Sequence, residues 1–172
     1  MSDEKKPPQH PLPTRIVFAR WELECDPVVT RELYATVKSG APEECGCAPC
    51  RNFAAARKLV YPPQIIRLFS DLGIAPDREA EVWHTHRVEP GKHHYGGWFH
   101  FVGKLAAGPD AAIQIRPNAW RLDLEIVEAA FRLGFTEINL GLLPDSFRGH
   151  PIVQLEFETM VPWVLSEAEP TS

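Results

Sequence analysis

No run of this chain approaches the roughly 20 consecutive apolar residues that a membrane-spanning helix needs. The N-terminal stretch Met1-Ser2-Asp3-Glu4-Lys5-Lys6-Pro7-Pro8 lacks the apolar segment of a secretory signal. A basic surplus is missing as well. The 172 residues carry 18 Lys and Arg against 23 Asp and Glu, a formal charge of -5, which argues against a nucleic-acid-coating surface. No internal repeat is present, and no glycine loop of the phosphate-cradling kind. Ser146 and His150 sit in a loop without the local signature of a nucleophile elbow. These absences predict a cytoplasmic protein with no membrane or nucleic-acid partner. In that compartment thiols stay reduced, so four cysteines are free, metal-bound or catalytic rather than paired.

What is present is one domain's worth of chain, long enough to bury a core without disulfides. The Pro- and Glu-rich ends predict disordered tails over 1–13 and 166–172, leaving one domain over 14–165. Residues 15–25 alternate, with Val17, Ala19, Trp21, Leu23 and Cys25 on one face, which predicts a half-buried strand. Residues 50–60 predict a short helix that stops before Pro62-Pro63. A second helix follows over 63–72, with Gly73 placed for a C-terminal cap. Glu89-Pro90-Gly91-Lys92 predicts a turn joining strands 79–88 and 93–104. Ile113 and Ile115 mark another short strand. Residues 121–133 suit a helix face or strands, and strand is the reading adopted. In 153–158, Val153, Leu155 and Phe157 point inward while Gln154, Glu156 and Glu158 point to solvent. A wet sheet face implies antiparallel pairing. The fold class predicted is α+β, an antiparallel β-sheet or sandwich with a short two-helix, cysteine-containing insertion at 41–75.

The most distinctive segment is Cys45-Gly46-Cys47-Ala48-Pro49-Cys50. Zinc takes thiolates in tetrahedral geometry, and short spacers let a chain wrap one ion. Gly46 and Pro49 are turn formers that assist the wrapping. Three close ligands leave a fourth place open. Cys25 is one candidate for it, although its strand pattern points it into the core. A histidine or a water is another. The cysteines could instead be reactive thiols, since Cys50 lies near a predicted helix start, where thiol pKa values fall.

The hairpin carries a second constellation. Symmetric pairing about Pro90-Gly91 sets His86 opposite Tyr95, Val88 opposite His93 and Trp83 opposite Trp98. His84, His86 and His93 then share one sheet face and could ligate a metal. His84-Thr85-His86 is reminiscent of a cupin pair, but the spacing to Glu89 and Gly97 departs from that pattern. A bulge at Gly96-Gly97 would change which residues share a face. Trp83, Trp98 and Phe99 could form an exposed aromatic surface for self-association.

Several segments together resemble an uncharacterised family of small bacterial proteins: Cys45 to Phe53 read as CxCxxCxNF, Tyr61-Pro62-Pro63 with Leu72-Gly73-Ile74, Tyr95-Gly96-Gly97-Trp98-Phe99, and Leu155-Glu156-Phe157 with Pro162-Trp163. The resemblance spans most of 15–165 and carries no known activity. It implies that the cysteine segment and the aromatic strand belong to one fold unit. The functional expectation is a non-enzymatic binding or interaction domain, for a protein or small molecule, with zinc at Cys45, Cys47 and Cys50. The alternative is a metal- or thiol-dependent enzyme using His84, His86 and His93 or Cys50.

Overall fold

The structure, a computed structural model, describes residues 13–138 and 140–171. The predicted N-terminal tail therefore lies outside the described residues, Pro13 apart. Among the described residues, nine strands and four short α-helices follow one another in an α+β arrangement. Seven strands form one antiparallel sheet in the order β1 (Thr14–Phe18), β2 (Trp21–Cys25), β4 (Lys92–Ala107), β9 (Ile152–Pro162), β8 (Phe131–Thr136), β7 (Glu125–Glu128). The remaining one, β3 (Glu81–Glu89), also pairs with β4. A separate hairpin holds β5 (Ala112–Arg116) and β6 (Ala119–Leu122). The stretch 121–133 is thus strand rather than helix. The predicted single strand over 15–25 is instead a tight hairpin, reversing at Ala19, whose φ is 49°. The inner half of its alternation survives: Trp21, Leu23 and Cys25 are buried, while Val17 is exposed.

The backbone of the sheet is β4. Along one edge it pairs with β9 without a break, from Lys92 opposite Pro162 to Val102 opposite Ile152. The other edge is shared: β3 covers the first half and β2 the second. Between them His100 and Val102 would be left with open amides. Helix α1 (Pro27–Tyr34) closes that gap. The Tyr34 hydroxyl donates to His100 O at 2.8 Å and accepts from His100 N at 3.2 Å, and Thr30 Oγ1 accepts from Val102 N at 3.0 Å. Buried backbone groups left unpaired cost about 1–3 kcal/mol each, so two side chains here do the work of a missing strand. The sequence signal for α1 was present. Asp26 caps it, accepting from Val29 N at 3.0 Å, and Pro27 opens the first turn.

Three more helices follow: α2 (Ala41–Cys45), α3 (Ala48–Ala56) and α4 (Pro63–Leu72). The expected first helix starts two residues early and tapers into a 3-10 turn at Arg57–Leu59. Gly73 caps α4 in the left-handed region, as its position predicts. Apolar faces of α3 and α4, with Tyr61 between them, pack on the sheet. Ring centroids stand 5.5 Å apart for Phe53 and Tyr95, 4.8 Å for Phe69 and Phe99, and 5.7 Å for Tyr61 and Phe157. Aromatic side chains carry the largest burial per residue, and edge-to-face contacts add to it. No helix among the described residues is long and apolar enough to cross a membrane.

The far face of the sheet departs from expectation. Gln154 and Glu156 are buried there, not solvated. The loop after β8 folds over them: Gly141 N donates to Gln154 Oε1 at 2.9 Å, and Trp98 Nε1 donates to Gly141 O at 3.2 Å. Alternation along β9 reads correctly, but a loop that returns across the sheet has no periodicity to announce it. Phe99 belongs to the core, so only Trp83 and Trp98 of the expected aromatic surface are partly exposed.

Candidate metal centre

The cysteine segment is a corner between two short helices. Cys45 is the last residue of α2, Cys47 is the N-cap of α3, and Cys50 lies in the first turn of α3. Gly46 makes the corner with φ of 68°, a left-handed conformation that glycine adopts without strain. Pro49 lies in the first turn of α3, where its fixed φ suits a helix start. Reversing the chain in this way folds three side chains back on one point. The Sγ atoms of Cys45, Cys47 and Cys50 all lie within 4.8 Å of one another, and Cys45 and Cys47 approach to 3.3 Å. Among the described residues, no other group of three or more potential ligands converges in this way. Cys45 and Cys47 are exposed and Cys50 is buried.

The thiols are electrostatically unlike. The Cys47 backbone amide and the neighbouring thiols stabilise a Cys45 thiolate and lower its pKa. Burial, then hydrogen bonding to Cys47 and Cys45, pushes the Cys50 thiol well up. One anionic sulfur attended by two thiol donors is an arrangement in which a cation could replace the donated protons. Thiolate, not thiol, is the form that ligates a metal.

The corner is braced from below and from the C-terminal segment. Arg51 Nη1 donates to Gly46 O at 2.6 Å and its other nitrogen pairs with Glu167. Asn52, fully buried, donates to Pro162 O at 3.0 Å and accepts from Val164 N at 2.7 Å. Tyr95 Oη donates to Pro49 O at 3.0 Å. The cysteine segment and the aromatic strand do meet in one fold unit. Sequence reasoning missed Asn52 and Arg51 as braces. Their partners in the C-terminal segment, Pro162, Val164 and Glu167, lie 110 or more residues away and leave no local trace.

Cys25 is not part of this centre. It lies on β2, 1% exposed, with its thiol donating to Thr14 O at 3.4 Å. Burial pushes that thiol up to about 11. Strand alternation commits the Cys25 side chain to the core, away from the three thiols that converge at the corner.

The histidine trio is also not assembled. The turn pairs Glu89 with Lys92 as predicted, but two irregularities in β3 then shift the register. His84, not His86, stands opposite Tyr95, and Trp83 stands opposite Gly96. The first shift falls between His84 and His86 and separates them. His84 meets His93, with Nε2 and Nδ1 2.9 Å apart, while His86 stacks on His94 with ring centroids 5.3 Å apart. A bulge adds one residue to one strand, and a period of two turns that into a change of face. The site for the bulge is β3 rather than Gly96-Gly97. There Gly96 serves a different end: a Cβ on it would lie 2.2 Å from the Trp83 ring.

Where the sequence predicts a free C-terminal tail, residues 166–171 run back along the sheet end. Glu169 accepts from Gly91 N at 2.8 Å, meets His93 Nε2 at 2.9 Å and pairs with Arg87 at 2.9 Å. His93 is fully buried beneath these contacts and the Trp163 ring, 5.1 Å from its own. The hydrogen bond to His93, then that from the Gly91 amide and the charge of Arg87, hold the Glu169 carboxyl below its usual range. Composition cannot reveal a carboxylate whose partners lie on a distant turn. No family model, no curated protein and no solved structure matches the chain, so its chemistry rests on its own residues.

Proposed function

We propose that this protein is a binding domain built around a structural zinc ion held by Cys45, Cys47 and Cys50. The observation that carries the reading is the convergence of three thiols within 4.8 Å at a helix–turn–helix corner. Soft thiolate donors in compact array favour zinc over hard cations such as magnesium or calcium. The corner joins α2 to α3, and α3 carries Phe53 into the core. An ion there would clip the helical layer to itself and hold Asn52 in place for the C-terminal segment. The same reading takes the domain to be a non-enzymatic, cytoplasmic member of the resembling bacterial family, with a protein or small-molecule partner. Burial pushes the Cys50 thiol up, which disfavours it as a free nucleophile.

Elemental analysis of the purified full chain tests this. One equivalent of zinc is expected, lost with a chelator and accompanied by three newly titratable thiols. Metal-free protein with all four thiols open to reagent in the folded state would overturn it.

A further inference from the structure

Two sulfurs of the corner are close enough to react with each other. We propose that Cys45 and Cys47 form a modification site, a thiol pair that a hydroperoxide converts to an intramolecular disulfide and a dithiol restores. This goes beyond the metal reading above, and it stands on the thiols themselves.

Cys45 Sγ and Cys47 Sγ are 3.3 Å apart, about 1.3 Å more than the length of an S–S bond. A disulfide also needs its two Cα atoms at about 4.4–6.8 Å. Gly46, the single residue between them, has φ of 68° and ψ of 0°. That is close to the mirror image of a helical residue. It sets the flanking Cα atoms about 5.5 Å apart, as across one residue of a helix. The contact between the two thiols is the one that the new bond replaces. Closing it takes a shift of two side chains and leaves the Arg51 bond to Gly46 O in place.

Access sorts the four cysteines. Cys45 and Cys47 are exposed, whereas Cys25 and Cys50 are buried. A Cβ built on Gly46 would meet nothing within 4 Å, so the outer side of the corner is open to a small oxidant. Solvent-accessible thiols beside a resolving thiol are the ones that oxidise reversibly, and buried structural thiols are inert.

The chemistry needs only the hydroperoxide. One sulfur of the pair, as thiolate, attacks a peroxide oxygen. An S–O bond forms, the O–O bond breaks, and the departing oxygen takes up a proton. The second sulfur, as thiolate, attacks the resulting sulfenic acid. The S–S bond forms, the S–O bond breaks, and the expelled hydroxide takes up a proton to become water. Two electrons pass from the sulfurs to the peroxide. Two thiols and one hydrogen peroxide thus give one disulfide and two waters. An ion at the corner loses two of its three thiolates in the process, and one is too few to hold it. A ring closed over a single residue is strained, and strained, exposed disulfides are the readily reduced ones.

Hydrogen peroxide added in equimolar amount to the chelator-stripped full chain tests the assignment. The titratable thiols are expected to fall from four to two, in a monomer lighter by two hydrogens. Alkylation in denaturant before reduction is expected to label Cys25 and Cys50 alone, and dithiothreitol to restore all four thiols. Cys50→Ala keeps the pair and is expected to form the same link at a rate within about twofold of wild type. In the zinc-loaded chain, the ion is expected to leave in step with the link. A disulfide that includes Cys50 or Cys25, a disulfide between chains, or oxidation to sulfinic acid without a link overturns the assignment, whatever the zinc content. A chain that forms the Cys45–Cys47 link but takes up no zinc overturns the metal reading and bears out the thiol pair.

Discussion

Cys25 and the Cys45–Cys50 corner place the same side chain in two opposed settings. On β2 the thiol is walled in by the sheet, bonded to a carbonyl and pushed up to about 11. At the corner, three thiols converge and one is favoured as thiolate. The difference lies in the backbone. A strand sends alternate side chains to opposite faces and keeps them apart, whereas a reversal between helices gathers neighbours at one point. The contrast extends to other titratable groups. Those on the sheet, such as His100 and Glu156, are buried in the fold, and those at the corner stand where they could hold a metal ion.

The largest effect should come from exchanging the two settings' roles. Cys47→Ser is expected to abolish stoichiometric metal, while Cys25→Ala retains one equivalent and loses stability instead, by about 1–2 kcal/mol for the packing it gave up. Metal content and denaturant midpoints measure both. Loss of metal in Cys25→Ala would remove the contrast.

Alkylation of the metal-free protein near pH 8 should follow the same division. With a thiol at about 11, Cys25 is ionised in roughly one molecule in a thousand, and it is buried besides. Cys45 is expected to react at least about 100-fold faster, as peptide mapping after timed quenching would show. Equal rates would mean that the corner does not favour a thiolate.

The sheet's titrations sharpen the stability half. Burial pushes the Glu156 carboxyl up to about 7 and the His100 imidazole down to about 4. A raised carboxyl keeps in the fold a proton that the unfolded chain has released. Its contribution therefore declines as pH climbs from 4.5 to about 7. A depressed imidazole does the reverse between about 4 and 6.5. Where the two windows overlap they oppose each other. Glu156→Gln should gain stability relative to wild type by roughly 3 kcal/mol between pH 4.5 and 7, read from denaturant midpoints at each pH. A pH-independent difference would show that Glu156 ionises normally.

A more local effect is expected at the brace between the regions. Asn52→Ala should cost about 1–3 kcal/mol, since Pro162 O and Val164 N lose their partner. Hydrogen exchange should rise in residues 163–171 before it rises in β4. Exchange rising uniformly would mean that the segment is held by other contacts.

Much of the fold was legible because it depends on local pattern. Trp21, Leu23 and Cys25 alternate; Val153, Leu155 and Phe157 alternate; Pro63 and Gly73 bracket α4. The thiol corner was legible for the same reason, its three cysteines lying within six residues with a glycine and a proline to bend them. The histidine face was misread because its register was extrapolated from the turn. Pairing is right at Glu89 and Lys92, and two irregularities later the facing residues have slipped. A bulge costs little and leaves no residue type that marks it.

The sequence by itself therefore determined which residues can form strands, where α4 begins and ends, and that three thiols meet. Periodicity and turn chemistry act over a few residues, and a few residues suffice for each of these. Tertiary structure alone decided that α1 completes the ladder of β4, that Glu156 is buried, and that Glu169 reaches His93 across 76 residues of chain. Such contacts follow from where the sheet's edges and covering loops come to rest. That depends on the packing of the whole chain and is written in no short stretch of it.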